Sequence, residues 1–193
     1  MSTSSQQVYL IRHGETEWSL SGRHTGITDL PLTEHGRRMA KMLQPVLARE
    51  SFALVLTSPL ERARETCELA GLGGHTEIDR DLMEWNYGAY EGLTTEQIRA
   101  QAPGWILFRD GCPGGETPDQ IGVRVDRVIA RVRAVNGDVV LFAHGHIFRV
   151  FAARWLGLPV TAGSHFLLNT ATLNILGYYR EIPAVKRWNA ALL

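Results

Sequence analysis

The stretch VYLIRHG at residues 8–14 places four apolar residues directly before Arg12, His13 and Gly14. An unbroken apolar run of that length, closed by a turn signal, reads as a strand buried on both faces. Two further runs share this character, ALVLT at 53–57 and DVVLFA at 138–143, and the second also runs into a His-Gly step, His144-Gly145-His146. Helical patterns fill the intervals. Thr33 heads a helix whose stripe is Met39, Met42, Leu43, Val46 and Leu47. Ser58 reads as an N-cap, with Pro59 at the first helical position, for a helix carrying Glu61 to Leu69 and stopping near Gly71. Thr94 with Gln97, and Thr117 with Gln120, spell capping boxes. The second box opens a helix with Ile121, Val125, Val128, Ile129 and Val132 on one face. Ile147 to Leu156 forms a last helix, ended by Gly157, and TLNILGY (172–178) and KRWN (186–189) read as short strands.

Strands alternating with helices imply an α/β fold, a three-layer αβα arrangement around a mainly parallel central sheet with helices on both faces. The length of 193 residues fits one domain, 1–193, on a prior of about 150 residues per domain. Gly71–Gly74 and Pro103–Gly115 read as loops. Residues 82–117 are poorly patterned, and a stretch of that length is expected to act as a lid.

Composition narrows the function classes. Twenty basic residues, eighteen of them Arg, balance twenty acidic ones, so net charge gives no support for a nucleic-acid or membrane-surface partner. Cys67 and Cys112 stand far apart in no metal-binding or redox pattern, and both are expected to be free thiols. The N-terminal MSTSSQQ lacks a basic segment followed by an apolar one, so no leader is expected. Val160 to Tyr179 carries no charge, but Ser164, Asn169 and Asn174 among other polar residues interrupt it, which argues against a membrane span. These features together point to a cytoplasmic protein, and a homo-oligomer is compatible with them.

The chemistry gathers where the strands end, since ligands in open α/β sheets bind at the carboxyl ends of strands. If the first and third strands are central, His13 and His144 meet there. Arg12 and Arg62 come from the same edge. Two histidines beside two guanidiniums suit a phosphate dianion, because Arg presents a planar fork of donors matched to phosphate oxygens. A metal held by His13, His144 and His146 is the competing possibility. No suitably spaced carboxylate stands beside them, and the arginines would repel a cation, so no metal or other cofactor is expected. Glu84, among Leu82, Met83, Trp85 and Tyr87, is a candidate acid whose charged form desolvation would disfavour. Glu91 competes for that role.

Six segments carry a resemblance in order: LIRHGETEW (10–18), HTGITDLPLT (24–33), SPLERARET (58–66), LMEWNYGAYEG (82–92), GGET (114–117) and HGH (144–146). Together they resemble the histidine phosphatase superfamily, in its phosphoglycerate-mutase-like branch, over nearly the whole chain. Trp105 to Thr117, with RDGC at 109–112, is most similar to sedoheptulose-1,7-bisphosphatase-like sugar phosphatases and to small bacterial acid phosphatases.

The resemblance implies that His13 is a nucleophile that becomes a phosphohistidine. It implies that Arg12, Arg62 and a protonated His144 hold the phosphoryl oxygens, and that Glu84 donates the proton to the leaving group. Ser19, Thr25, Gly26 and Gly145 fall where the family lines its substrate pocket, and Tyr87 is expected near the leaving group. The expected activity is metal-independent hydrolysis of small phosphorylated metabolites, sugar phosphates or bisphosphates. A phosphoglycerate mutase and a catalytically idle phosphate-binding protein are the alternatives. Mutases of this branch carry a basic insertion between the acid and the second histidine. Here no Lys lies between Glu84 and His144, which speaks against mutase activity. The tail after His144 is also shorter than in the fungal bisphosphatases.

Arg109 is a further candidate, a lid residue that would read a second phosphate or other anionic group. A salt bridge to Asp110 or Glu116 is the alternative. Arg124, Arg127, Arg131 and Arg133 are expected to point to solvent from the capped helix, and Arg99 to sit at the end of a short one.

Overall fold

Six strands form one sheet in the order β3-β2-β4-β1-β5-β6 in the computed structural model, which describes residues 6–191. The first five residues of the MSTSSQQ segment lie outside that range. The strands are β1 (Val8–Arg12), β2 (Phe52–Thr57), β3 (Glu77–Ile78), β4 (Asp138–Ala143), β5 (Leu173–Tyr179) and β6 (Ile182–Ala190). The pairings β1–β4, β4–β2 and β2–β3 are parallel, and β1–β5 and β5–β6 are antiparallel. The expected mixed α/β architecture with a mostly parallel sheet is therefore the observed one. The helices are α1 (Glu17–Leu20), α2 (Glu34–Leu47), α3 (Glu61–Leu69), α4 (Thr95–Gln101), α5 (Leu107–Asp110), α6 (Pro118–Arg133) and α7 (Gly145–Trp155).

Strand alternation distributes the core. On one face Tyr9, Ile11, Val140 and Phe142 pack with Leu43 and Leu47 of α2 and Cys67 of α3. On the other, Val8, Leu10, Val139 and Leu141 meet Ile121, Val125 and Val128 of α6 and Phe148 and Phe151 of α7. The central strands are thus apolar on both sides, which is why they read as continuous runs rather than alternating ones. The cysteines are unpaired and buried, and burial pushes the Cys67 thiol up to about 11 and that of Cys112 to about 12.

Four local expectations need correction. The buried stripe of α2 is Gly36, Ala40, Leu43 and Leu47, so the helix is turned from the expected face and Met42 is exposed. Gly36 explains the rotation: a Cβ there would collide with the Glu15 carbonyl oxygen, so only glycine lets α2 approach the segment after β1 so closely. Ser58 is not the cap of α3. The capping residue is Leu60, and the Glu61 N–H is met from afar by the Asp29 carboxylate at 2.8 Å. The last strand, Ile182–Ala190, is longer than the expected KRWN, and it pairs with β5 as a hairpin at the sheet edge.

Finally, the arginines of α6 do not simply face solvent. Arg124 grips Glu116 and donates to the carbonyls of Asp81 and Met83 at 2.8 and 2.6 Å. Arg127 pairs with Asp81, Arg131 pairs with Glu77 and Asp79, and Arg133 lies over the Trp155 ring. Arg99 donates to the Trp105 carbonyl. Residues 82–117 also carry much of the core, since Leu82, Trp85, Tyr87, Ile98, Trp105 and Phe108 are buried in the cluster that holds α6 and α7. Among the described residues no helix is long and apolar enough to cross a membrane.

Candidate active site

The register of the two central strands assembles the site. β1 and β4 run parallel with Arg12 opposite Ala143, and a histidine follows each. The His13 N–H donates to the Ala143 carbonyl at 2.9 Å, and the rings of His13 and His144 lie with centroids 5.3 Å apart. Nδ1 of His13 is 2.7 Å from the Gly14 carbonyl oxygen, which can only accept. Nδ1 therefore carries the proton, and Nε2 keeps its lone pair. Burial, then the charges of Arg62 and Arg12, hold the imidazole well below its usual pKa, with the Gly14 hydrogen bond opposing them. His13 is thus a neutral base of defined tautomer.

Arg12 stands beside it. Its Nη1 donates to the Leu168 carbonyl at 2.5 Å, while its Nε is buried with no partner among the described residues. An unmet guanidinium donor in a dry site is costly, and an anion is the group that would satisfy it. Gly145 lets this happen, because a Cβ there would sit 3.3 Å from that Nε.

Arg62 and His144 are fully buried and stand one layer behind the cavity wall. Arg62 donates through Nη1 to the Thr28 carbonyl and through Nη2 to those of Thr25 and Gly26, while its Nε donates to His144 Nδ1 at 3.1 Å. An accepting Nδ1 makes His144 neutral, with Nε2–H directed to Ser58 Oγ at 2.8 Å. Burial and the nearby charges of Arg62 and Arg12 act in the same direction. The expected imidazolium at His144 is therefore corrected to a neutral ring, and Ser58, expected to cap a helix, is its partner.

Glu84 is dry, as its apolar neighbours suggest, but it is well partnered. Its carboxylate accepts the backbone N–H groups of Trp85, His146 and Ile147, each at 2.9 Å. The last two belong to the first turn of α7, whose own N-cap, His144, supplies no side-chain acceptor. Glu84 thereby caps α7 across 63 residues of sequence. Glu91 acts elsewhere, since its Oε1 accepts from the N–H groups of Gly26 and Thr28 and pins that loop. The Tyr87 phenol, pushed well above its usual pKa by burial and then Glu84, is hydrogen-bonded to His146 Nδ1 at 2.5 Å.

A cavity of about 210 Å³ opens here. Of the expected residues, Arg12, His13, Ser19, Thr25, Glu84, Tyr87 and Gly145 line it. Gly26 sits behind, with its N–H and carbonyl committed to Glu91 and Arg62. Arg109 is not brought to this cavity. Its guanidinium is half exposed, clamped to Asp110 at 2.7 Å and to the Gly104 carbonyl, as the salt-bridge alternative had it.

Sequence reasoning missed Arg23, His24 and Arg149 as wall residues, and brought His146 to the site only as a possible metal ligand. His24 stacks on His146 at 5.8 Å with an interplanar angle of 3°. Arg149 could have been found from helix periodicity, since it lies three residues after His146 on one face. His24 and Arg23 belong to a loop with no periodic signal. Among the described residues no group of three or more His, Cys, Asp or Glu is placed to hold a metal ion.

The chain matches the family described as histidine phosphatase superfamily (branch 1) over residues 8–191. It is 40% identical to an acid phosphatase of Mycobacterium tuberculosis, with 92% of this chain and 89% of that protein covered. It is 38% identical to the sedoheptulose 1,7-bisphosphatase of Saccharomyces cerevisiae, over 83% of this chain and 71% of that protein. The solved structure of an open reading frame of Mycobacterium tuberculosis superposes with a TM-score of 0.94 at 36% identity, covering 98% of this chain and all of the other.

Proposed function

Because the chain belongs to the histidine phosphatase superfamily (branch 1) and is a phosphatase, we propose that it hydrolyses small phosphorylated metabolites, sugar phosphates or bisphosphates, through a phosphohistidine on His13 and without a metal. The observation that carries this reading is the 2.7 Å contact between His13 Nδ1 and the Gly14 carbonyl. It leaves Nε2 as an unprotonated nucleophile on the wall of a cavity rich in guanidinium groups.

In the first half-reaction the Nε2 lone pair attacks phosphorus in line with the ester oxygen. The P–N bond forms, the P–O bond breaks, and the leaving oxygen takes a proton from Glu84. The equatorial oxygens carry the charge, and the Arg12 guanidinium on the cavity wall is the cation placed to stabilise them. Arg62, buried behind, adds charge, and with the neutral His144 it holds the loop and ring that shape this cradle. In the second half-reaction water attacks phosphorus, Glu84 accepts its proton, and the P–N electron pair returns to Nε2. Arginines rather than metal ions supply the positive charge, in keeping with the donor groups of the site.

The test is a turnover panel of sugar phosphates, sugar bisphosphates and phosphoglycerates. Release of inorganic phosphate is expected. With 3-phosphoglycerate, formation of 2-phosphoglycerate in excess of phosphate would replace this reading with a mutase. Failure to turn over any phosphate ester would leave a binding protein.

A further inference from the structure

The Arg12 guanidinium has one hydrogen-bond partner among the described residues, the Leu168 carbonyl. That carbonyl shares a peptide unit with the Asn169 N–H, and this N–H donates to Asn189 Oδ1 at 2.7 Å. A peptide unit is planar and trans, so its N–H and carbonyl point in opposite directions and the two hydrogen bonds together fix its rotation. The Asn189 side chain therefore sets where the Leu168 carbonyl points. The peptides on either side are held as well. The Trp188 indole donates to the Leu167 carbonyl at 2.6 Å, and Thr172 Oγ1 donates to the Asn169 carbonyl at 3.0 Å. The Ala171 N–H returns to the carbonyl of Arg12 itself at 3.1 Å.

Asn189 reaches this loop because β6 is bulged. Leu173 pairs with Ala190 and Ile175 with Arg187, so Asn174 alone faces both Trp188 and Asn189. A bulge re-aims a side chain out of the regular alternation of a strand. The φ of Asn189 is 52°, in the left-handed region that asparagine enters more readily than most residues with a Cβ. Asn174 fastens the bulge from a fully buried position on β5. Its Oδ1 accepts the Asn189 N–H at 2.6 Å, and its Nδ2 donates to the carbonyls of Leu10 and Thr172 at 2.9 and 3.1 Å. A primary amide in a dry core is costly unless its donors and acceptor are met. Here they are met by the strand that carries Arg12, the loop beside it and the bulge.

We propose that Asn189, held by Asn174 at the bulge of β6, is a positioning residue for Arg12 and acts through the Leu168–Asn169 peptide. This rests on the reading that Arg12 meets the phosphoryl oxygens. The edge hairpin of the sheet thereby sets the anion affinity of a site at the centre of the sheet, through one peptide plane.

The test reads anion affinity and its dependence on Arg12. Orthovanadate, a phosphate-shaped anion with no leaving group, is titrated calorimetrically into the intact protein. Asn189→Gly keeps the left-handed backbone and removes the side-chain acceptor. It should weaken orthovanadate binding by about 10- to 100-fold, the usual cost of losing an outer partner that orients a group at the reacting atoms. It should also lower kcat/KM equally for aryl and sugar phosphates, because Arg12 serves the phosphoryl group common to both. Asn189→Asp keeps an acceptor oxygen and the same backbone, and should stay within about threefold of the unmodified protein. Asn189→Ser, whose hydroxyl falls short of the Asn169 N–H, repeats the test should the glycine variant not fold. In an Arg12→Ala background Asn189→Gly should have no further effect, since no guanidinium is left to place. A bulge that only closes the sheet edge would lower the unfolding free energy and leave the affinity of the folded protein unchanged. Unchanged affinity in Asn189→Gly, or a loss that persists in full in Arg12→Ala, overturns the proposal. Orthovanadate binding untouched by Arg12→Ala itself overturns the assignment of Arg12 to the phosphoryl oxygens, and the proposal with it. The expected affinities in a protein that releases no phosphate from any ester would overturn the phosphatase reading alone.

Discussion

Glu84 and Ile147 are joined by a 2.9 Å hydrogen bond from the Ile147 N–H to the Glu84 carboxylate, so the side chain proposed as the proton donor also caps the helix that follows His144. Catalysis and local stability are coupled at one carboxylate. Any substitution there acts on both, and the two effects separate only when measured on different substrates.

Glu84→Gln should lower turnover on sugar phosphates by about 10²- to 10⁴-fold, the usual contribution of general acid–base help. Aryl phosphates, whose leaving groups need no proton, should lose much less. Denaturant unfolding should show a cost of about 0.5–2 kcal/mol for the weakened cap. Equal losses on both substrate classes would assign Glu84 to the cap alone. Glu91→Gln is the comparison: it loosens the loop at Gly26 and Thr28 and should not discriminate between leaving groups.

Arg124 joins Glu116 to the carbonyls of Asp81, Met83 and Glu84 from a largely buried position. Arg124→Met should cost about 3–5 kcal/mol, the range for breaking a buried ion pair. Arg127→Ala, whose pair with Asp81 is exposed, should cost less than about 1 kcal/mol. Urea unfolding of the two variants checks the contrast.

Stability should fall on mild acidification. His13 and His144 are held neutral in the fold, below the imidazole pKa of about 6.5 in the unfolded chain. Below that value the unfolded state binds more protons, so each such histidine removes stability as pH falls. The loss grows as the pH falls further below that value. The stability is fully present above pH 7. Unfolding free energies at pH 5 and 7.5 measure it, and His144→Asn should shrink the difference.

Activity should survive exhaustive chelation, since guanidinium groups carry the positive charge of the site. Loss of activity on chelation, restored by one divalent metal, would revive the metal reading of His13, His144 and His146.

The three central strands and the box-capped helix α6 were legible because burial on both faces and a 3.6-residue stripe leave direct marks in sequence. His13 and His144 were placed together by the same logic, since each ends an apolar run. Other features left no such mark. The face of α2 follows Gly36, a close approach that no hydrophobic period records. Ser58 serves His144 rather than its own helix because Asp29 reaches the free N–H first. Residues 82–117 hide a core made of isolated aromatics on short turns. Arg109, expected to read an anion from that stretch, is instead closed by Asp110 beside it.

The central claim is a covalent phosphoryl group on His13. Rapid quenching with radiolabelled phosphate ester should trap label that is stable in alkali, labile in acid and confined to the peptide containing His13. His13→Ala should abolish both the label and turnover. Turnover unchanged in His13→Ala, or steady hydrolysis by the unmodified enzyme with no trapped label at any quench time, would contradict the account.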